Sequence, residues 1–256
     1  MGIQSIERAN NILNLFSARR VQIGISEMSR EMGLSSPTIH GIVRTLLECG
    51  LLHQDPETKK YSLGLKTYEL GHIYLGGSKV YQVGAAPAYR LLKQTGLPTR
   101  LAMWDKNSVV VLINIFPSSD TFQYFNMGPR VPAYCSAMGK AILASLPNDE
   151  LSSYLKQTTL TPVTSRTINN KELLFKDLEK TKLRGYSFER GEIVQDIACV
   201  GAPIFDSTNH VVASIGLSGH PEIFNSDKLS EVTKELIETA KEISHSLGYH
   251  GPIVKF

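Results

Sequence analysis

Residues 26–49 read S-E-M-S-R-E-M-G-L-S-S-P-T-I-H-G-I-V-R-T-L-L-E-C, and this stretch predicts two short helices joined by a tight turn. Ser26 is expected to cap the first helix, because its side-chain oxygen can accept a hydrogen bond from an amide at the helix start. Gly33 can take the left-handed conformation that ends that helix. Ser36 is expected to cap the second helix, with Pro37 at its first position, where a missing N–H costs nothing. Ile39, Ile42, Val43, Leu46 and Leu47 recur at helical spacing and form one inward stripe. The opposite face carries Ser36, Thr38, His40, Gly41, Arg44 and Thr45. These side chains are short, polar or positive, as a helix needs if it is to enter a major groove about 12 Å wide.

Taken alone, the pair is also readable as an ordinary helical hairpin. The next residues favour DNA binding. Residues 53–63, H-Q-D-P-E-T-K-K-Y-S-L, predict strand, polar turn, strand, with Lys59 and Lys60 near the tip. A β-hairpin there would be the wing of a winged helix-turn-helix. Upstream, 5–18 predicts a helix capped by Ser5, with Ile6, Ala9, Ile12, Leu13 and Phe16 facing inward. Arg19 and Arg20 follow it, placed either to complement the helix dipole or to reach a phosphate.

Composition narrows the classes. The chain has 256 residues, 42% hydrophobic and 20% charged, ordinary proportions for a globular protein of one large or two modest domains. No apolar run approaches the about 20 residues needed to span a bilayer, and the first residues do not read as a signal peptide. Cys49, Cys135 and Cys199 are odd in number and widely spaced, which suggests a reducing cytoplasm and no disulfide framework. No C-x-x-C pair suggests structural zinc, His220 and His245 lack ligand partners at useful spacing, and neither a metal nor a cofactor is expected. Net charge is only +3. Residues 1–70 hold eight basic and seven acidic residues, so placement matters more than the sum. A single copy would bind DNA weakly, whereas a symmetric dimer doubles the phosphate contacts.

Beyond the wing, 65–75 predicts a helix, and Gly76-Gly77-Ser78 is the best domain boundary. Residues 80–95 predict another helix, kinked or delayed by Pro87. The pattern then turns to strands at 99–104 and 108–115 around the turn Asp105-Lys106-Asn107, with a further strand at 121–126 and irregular chain at 127–132. Helices are expected at 136–146, 150–157 and 170–184, the last with Leu173, Leu174, Leu178 and Leu183 inward. Strands follow at 186–189, 197–205 and 211–218, and one long helix or two shorter ones at 225–247. This order fits an α+β domain, an antiparallel sheet flanked by helices. The expected organisation is a winged helix-turn-helix at 1–66, a linker helix at 67–80 and a ligand-sensing domain at 81–256.

In that second domain the loop 132–141, P-A-Y-C-S-A-M-G-K-A, leads straight into a helix start. Amides near Ala137, Met138 and Gly139 would suit a carboxylate or phosphate, although a capped helix without ligand fits the same residues. Cys199 reads as a small buried hydrophobe or as a nucleophile without a neighbouring histidine. Glu189-Arg190-Gly191-Glu192 is a solvated loop or puts one carboxylate into a cleft, and Met103 and Trp104 are core residues or a pocket wall.

Four blocks carry a family likeness: S-I-E-R-A-N-N-I-L at 5–13, the helix-turn-helix and wing ending K-Y-S-L-G at 60–64, G-P-R-V-P-A-Y-C-S-A-M-G-K-A-I-L-A at 128–144, and R-G-Y-S-F-E-R-G-E-I-V-Q-D-I-A-C-V-G-A-P-I-F-D at 184–206. In this order the chain resembles the IclR family of bacterial transcription regulators. The resemblance implies a winged helix-turn-helix, a linker helix and an effector domain like a GAF or PAS sensor. It also implies homodimers or dimers of dimers on palindromic operator DNA, responding to a small organic acid or aromatic compound. Thr38, His40, Arg44 and Thr45 match the face turned to DNA. The effector carboxylate is implied at Ala137 and Met138, and Glu189, Cys199 and Ser218 match pocket positions. Gly216 stands where some relatives have Ser, and Met138 where Ala or Gly is often seen. Two other classes stay open on residues alone: an acid-processing enzyme using Cys199 or Glu189, and an interaction module that uses the winged helix only to dimerise.

Overall fold

The computed structural model describes residues 2–117 and 129–251. The chain divides into two compact units between Gly77 and Ser78. In the first, α1 (Gln4–Leu13), α2 (Ile25–Met32) and α3 (Ser36–Glu48) precede a hairpin of β1 (Leu52–Gln54) and β2 (Tyr61–Leu63), then α4 (Leu65–Gly77). Ile12, Ile23, Met28, Ile39, Val43 and Leu46 close on Leu52 and Tyr61 in one core. Fully burying each such side chain is worth about 1.5–3 kcal/mol, which is what holds three short helices together. Ile23 adds a rung to the hairpin by exchanging backbone hydrogen bonds with Tyr61, both 2.9 Å.

Helix starts differ from expectation by small shifts with clear causes. α1 begins at Gln4 after Ile3 and stops at Leu13, so Ser5 does not cap it and Ile6 stays 64% exposed. α2 is capped by Gly24, not Ser26, and the Glu27 carboxylate accepts from the Gly24 N–H at 2.9 Å. That bond holds the Glu27 carboxyl below its ordinary range. Ser35 precedes α3, so Ser36 and Pro37 are already helical. Gly33 does end α2 at φ +60°.

The second unit is an antiparallel six-stranded sheet with helices on both faces. It holds α5 (Lys79–Thr95), β3 (Thr99–Asp105), β4 (Ser108–Ile115), β5 (Arg130–Pro132), α6 (Ala137–Leu143), α7 (Asn148–Gln157), α8 (Lys171–Arg184), β6 (Ser187–Arg190), β7 (Ala198–Phe205), β8 (Val211–Gly219) and α9 (Ser226–Ser246). The strand order is β5-β4-β3-β8-β7-β6. Lys106 and Asn107, both at positive φ, form the two-residue turn that joins β3 and β4. Leu101, Val200, Ile204, Ile215, Leu236 and Ile243 belong to the core that α5 and α9 build on one face. Their strand neighbours therefore face the other side, where α6 lies.

Several expectations change here. α5 runs unbroken through Pro87, and α7 starts two residues early, after Pro147. Residues 130–132 form an edge strand rather than irregular chain. Of the two forms expected for the last helical segment, α9 takes the first, a single long helix. In α8 the buried residues are Leu174, Leu178 and Thr181, whereas Leu173 and Leu183 point outward. Helical spacing decides that face, and leucine identity does not. The strand expected at 121–126 lies outside the described residues. No helix among the described residues is long and apolar enough to cross a membrane.

Candidate functional site

The first unit presents α3 edge-on to solvent. Ile39, Val43 and Leu46 are buried, while Ser36, His40, Gly41, Arg44 and Thr45 are exposed and Thr38 is half-buried. Thr38 shares a hydrogen bond with Ser35 at 2.9 Å. Arg44 lies 3.8 Å from Glu48 one turn on, an exposed pair that holds it loosely. A depression of about 530 Å³ runs along this helix, lined by His40, Gly41, Arg44 and Tyr61 among others. Beside it the wing turns on Asp55, whose carboxylate accepts from the Thr58 and Glu57 amides at 2.8 and 2.9 Å. Those bonds hold its carboxyl below the usual range. Lys59 sits at φ +58° at the tip, and Lys59 and Lys60 are exposed. Arg19 is exposed, but Arg20 pairs with Glu31 and lies 3.7 Å from Glu27, so its charge is shared with α2.

In the second unit α6 is pressed flat on the sheet. A side chain on Gly201 would meet Met138 N and the Ala137 carbonyl within 2.9 Å, and one on Gly216 would meet Met138 Cγ at 2.9 Å. Gly216 therefore makes room for the bulky Met138, and the two departures from the family pattern compensate each other. Gly139 is equally confined, since its added Cβ would lie 2.3 Å from Ala133 Cα. The Gly139 amide donates to the Ser136 cap at 3.1 Å, so of the three amides expected to meet an anion this one is engaged by its own cap.

A polar row crosses the sheet beside α6. Glu189 pairs in register with Cys199, and Cys199 with Ser218, whose oxygen lies 3.3 Å from the thiol. Arg100 pairs in register with Gly216 and with Asn114, and it donates from Nη1 to Ser218 Oγ at 2.8 Å and from Nε to Asn114 Oδ1 at 3.0 Å. The row therefore runs Glu189, Cys199, Ser218, Arg100, Asn114 over five strands. Cys199 keeps partial exposure although β7 is an interior strand. Burial raises the Glu189 carboxyl to about 7, so near neutrality it can donate as well as accept. Burial, followed by the neighbouring Glu189 charge, pushes the Cys199 thiol well up. Cys135 is pushed to about 12, mainly by burial. Both thiols stay protonated and are poor nucleophiles.

Not every expected residue joins this row. Trp104 faces the α6 side and packs on Tyr154, ring centres 6.1 Å apart. Met103 does not. It pairs with Ala213, packs against the α5 and α9 core, and its sulfur accepts from Ser78 Oγ at 3.6 Å. Adjacent strand residues point to opposite faces, so Met103 and Trp104 cannot line one pocket wall. Behind α6, fully buried Lys140 pairs with Glu192 and, at 2.9 Å, with Asp177. Burial still raises Glu192, with Lys140 opposing it. Among the described residues no group of His, Cys, Asp and Glu could hold a metal ion. Arg100 and the pairing of Lys140 with Asp177 and Glu192 escaped the sequence reading, because single charges inside apolar strands and helices carry no spacing signal.

Two family models match the chain: the IclR helix-turn-helix domain over residues 5–56, and the bacterial transcriptional regulator IclR C-terminal domain over 72–245. The HTH-type transcriptional regulator XynR of Escherichia coli is 32% identical, with 96% of this chain and 98% of that protein covered. The crystal structure of Thermotoga maritima IclR superposes with TM-score 0.76 at 30% identity, over 97% of this chain and 100% of that one. An IclR homologue from Microbacterium hydrocarbonoxydans, solved in complex with 4-hydroxybenzoate, superposes with TM-score 0.80 over 95% and 98% of the two chains; at 23% identity it speaks for the fold alone. The exposed helix-turn-helix of the first unit, the α+β architecture of the second and these matches agree: the chain is a helix-turn-helix transcriptional regulator rather than an enzyme, and it belongs to the IclR family.

Proposed function

We propose that α3 enters the major groove of operator DNA with Ser36, Thr38, His40, Arg44 and Thr45 toward it, while Lys59, Lys60 and Arg19 meet phosphates. Arg20, already paired with α2, contributes less. The observation that carries this reading is the division of α3 into a buried apolar stripe and an exposed polar face with a glycine at its centre. The second unit senses a small organic acid or aromatic effector on the sheet face beside α6, with its carboxylate near Ala137 and Met138 and with Glu189, Cys199, Gly216 and Ser218 around it. The working unit is a homodimer or a dimer of dimers in the cytoplasm. In support, α4 buries none of its residues and leaves Leu65, Tyr68, Leu70 and Ile73 at least half exposed, an apolar surface suited to a second copy. Two recognition helices would then meet half-sites about 34 Å apart. An effector shifts operator affinity only if it binds the two arrangements of the dimer unequally.

The test is fluorescence anisotropy of the purified protein on its own upstream DNA, over a salt series, with and without a panel of organic and aromatic acids. Selective, salt-sensitive binding is expected, shifted by at least one acid and weakened about tenfold or more in Arg44→Ala. Unaltered affinity in that variant would remove α3 from the DNA face.

A further inference from the structure

We propose that Glu48 is a specificity-determining residue of the DNA-reading helix: it holds the Arg44 guanidinium for the edge of a guanine and withholds that charge from phosphates. This rests on the reading of α3 as the helix in the major groove, and it adds to that face a positioning residue and the base that is read.

α3 carries one basic side chain, Arg44, and one acidic, Glu48, so their formal charges cancel on the helix that meets a polyanion. Glu48 is the last residue of α3, where the helix dipole disfavours a carboxylate. Arginine before glutamate is also the weaker order for a pair one turn apart. With side chains 80% and 68% exposed, the pair adds little to stability in water. A carboxylate close to phosphates costs DNA affinity as well. Helix stability and plain attraction to DNA would both place an uncharged or basic residue at this position. The carboxylate is accounted for by what it does to Arg44.

The nearest atoms of the pair are Arg44 Nε and Glu48 Oε1, 3.8 Å apart. Glu48 therefore stands at the inner edge of the guanidinium and leaves Nη1 and Nη2 for a partner beyond. Those two nitrogens match O6 and N7 of one guanine, the commonest specific contact in a major groove. Gly41 has open space beside it, so the helix can come close enough for the fork to reach a base edge. Two other polar side chains of this face are tied locally. Thr45 Oγ1 donates to the Gly41 carbonyl at 3.2 Å, and Thr38 shares a hydrogen bond with Ser35 at 2.9 Å. On DNA with no guanine in place, Arg44 falls back on Glu48, and the carboxylate repels the phosphates that would otherwise take the fork. Specificity is a difference of affinities, and a repulsive group widens it.

The experiment uses the full-length protein and a duplex that wild type selects from a random-sequence pool. That duplex is also changed at each G·C pair in turn, and a scrambled duplex serves as the non-specific probe. Fluorescence anisotropy over a salt series compares wild type, Glu48→Gln, Arg44→Ala and the double variant, with circular dichroism as the check on folding. Glu48→Gln should bind the scrambled duplex about threefold to tenfold more tightly, with a log–log salt slope steeper by about one per chain, and should discriminate less than wild type. Arg44→Ala should weaken the selected duplex about tenfold or more and lose the preference at one G·C pair. Adding Glu48→Gln to it should then leave discrimination as it is. A merely structural role for Glu48 would move neither the salt slope nor the base preference. Unchanged discrimination in Glu48→Gln would overturn the role of Glu48, and an equal loss with and without Arg44 would overturn the link between the two. Weaker binding by Arg44→Ala with every base preference intact would make Arg44 a phosphate contact and overturn the proposal, while α3 stays on the DNA. If wild type selects no sequence at all, the reading of α3 falls with it.

Discussion

Helices α3 and α6 have similar beginnings and opposite surroundings. Each follows a serine, Ser35 before α3 and Ser136 before α6, and each carries a glycine in its body, Gly41 in α3 and Gly139 in α6. Around Gly41 there is open space, and an added Cβ meets nothing within 4 Å. Around Gly139 the same atom would sit 2.3 Å from the Ala133 backbone. α3 buries one stripe and leaves the rest to solvent, whereas all seven residues of α6 are buried. On α3, stability and recognition therefore occupy different faces and can be altered separately. On α6 they share the same atoms, so few changes there act on ligand binding alone.

The contrast can be attacked first at Lys140. Lys140→Met leaves the Glu192 and Asp177 carboxylates without their buried cation, and breaking such a pair costs about 3–5 kcal/mol. The single tryptophan, Trp104, lies on β3 and reports on this unit. Its fluorescence during urea unfolding should show the loss, and a change under about 1 kcal/mol would mean that water already solvates the two acids. Next comes Gly139→Ala. The clash is with backbone, which cannot swing aside, so roughly 3 kcal/mol is lost and the melting temperature falls by about 6–12 °C. A variant that melts with wild type would show that α6 can lift off Ala133. The smallest effect should have the opposite sign. Gly41→Ala is expected to gain about 0.5–1 kcal/mol of helix stability. It should also weaken operator binding several-fold if the α3 backbone comes close to DNA, and unchanged binding would place DNA farther from that turn.

These two helices also mark how far the sequence could be read. α3 was legible because its face is set by local spacing, and the wing because Asp55, Lys59 and the flanking strands are neighbours in the chain. The Lys106-Asn107 turn and the glycine stops at Gly33, Gly185 and Gly248 were legible for the same local reason. The polar row was legible only in pieces. Glu189, Cys199 and Ser218 stood out through the family likeness, but their alignment depends on the register of β6, β7 and β8. Arg100 was passed over because its meaning comes from Ser218, 118 residues away. Leu173 and Leu183 misled because leucine suggests a core, while Thr181, buried on the same helix face as Leu174 and Leu178, suggested none. Ser5 and Ser26 looked like caps because of residue type, yet neither chain direction nor neighbouring carboxylates can be read from type alone.

The strand order carries a consequence for how the protein is made. β3 lies beside β8, with Thr99 opposite Leu217, so the centre of the sheet joins nearly the first and the last strand of its unit. The helix-turn-helix core, by contrast, is complete by Tyr61. During synthesis at about 5–20 residues per second, the sheet stays open for roughly 10–30 s after the first unit has emerged. β3 waits unpaired on its β8 side through that interval, a period of exposure to aggregation and to chaperones. A ribosome that stalls before β8 releases a chain with a finished DNA-reading fold and no closed sheet behind it.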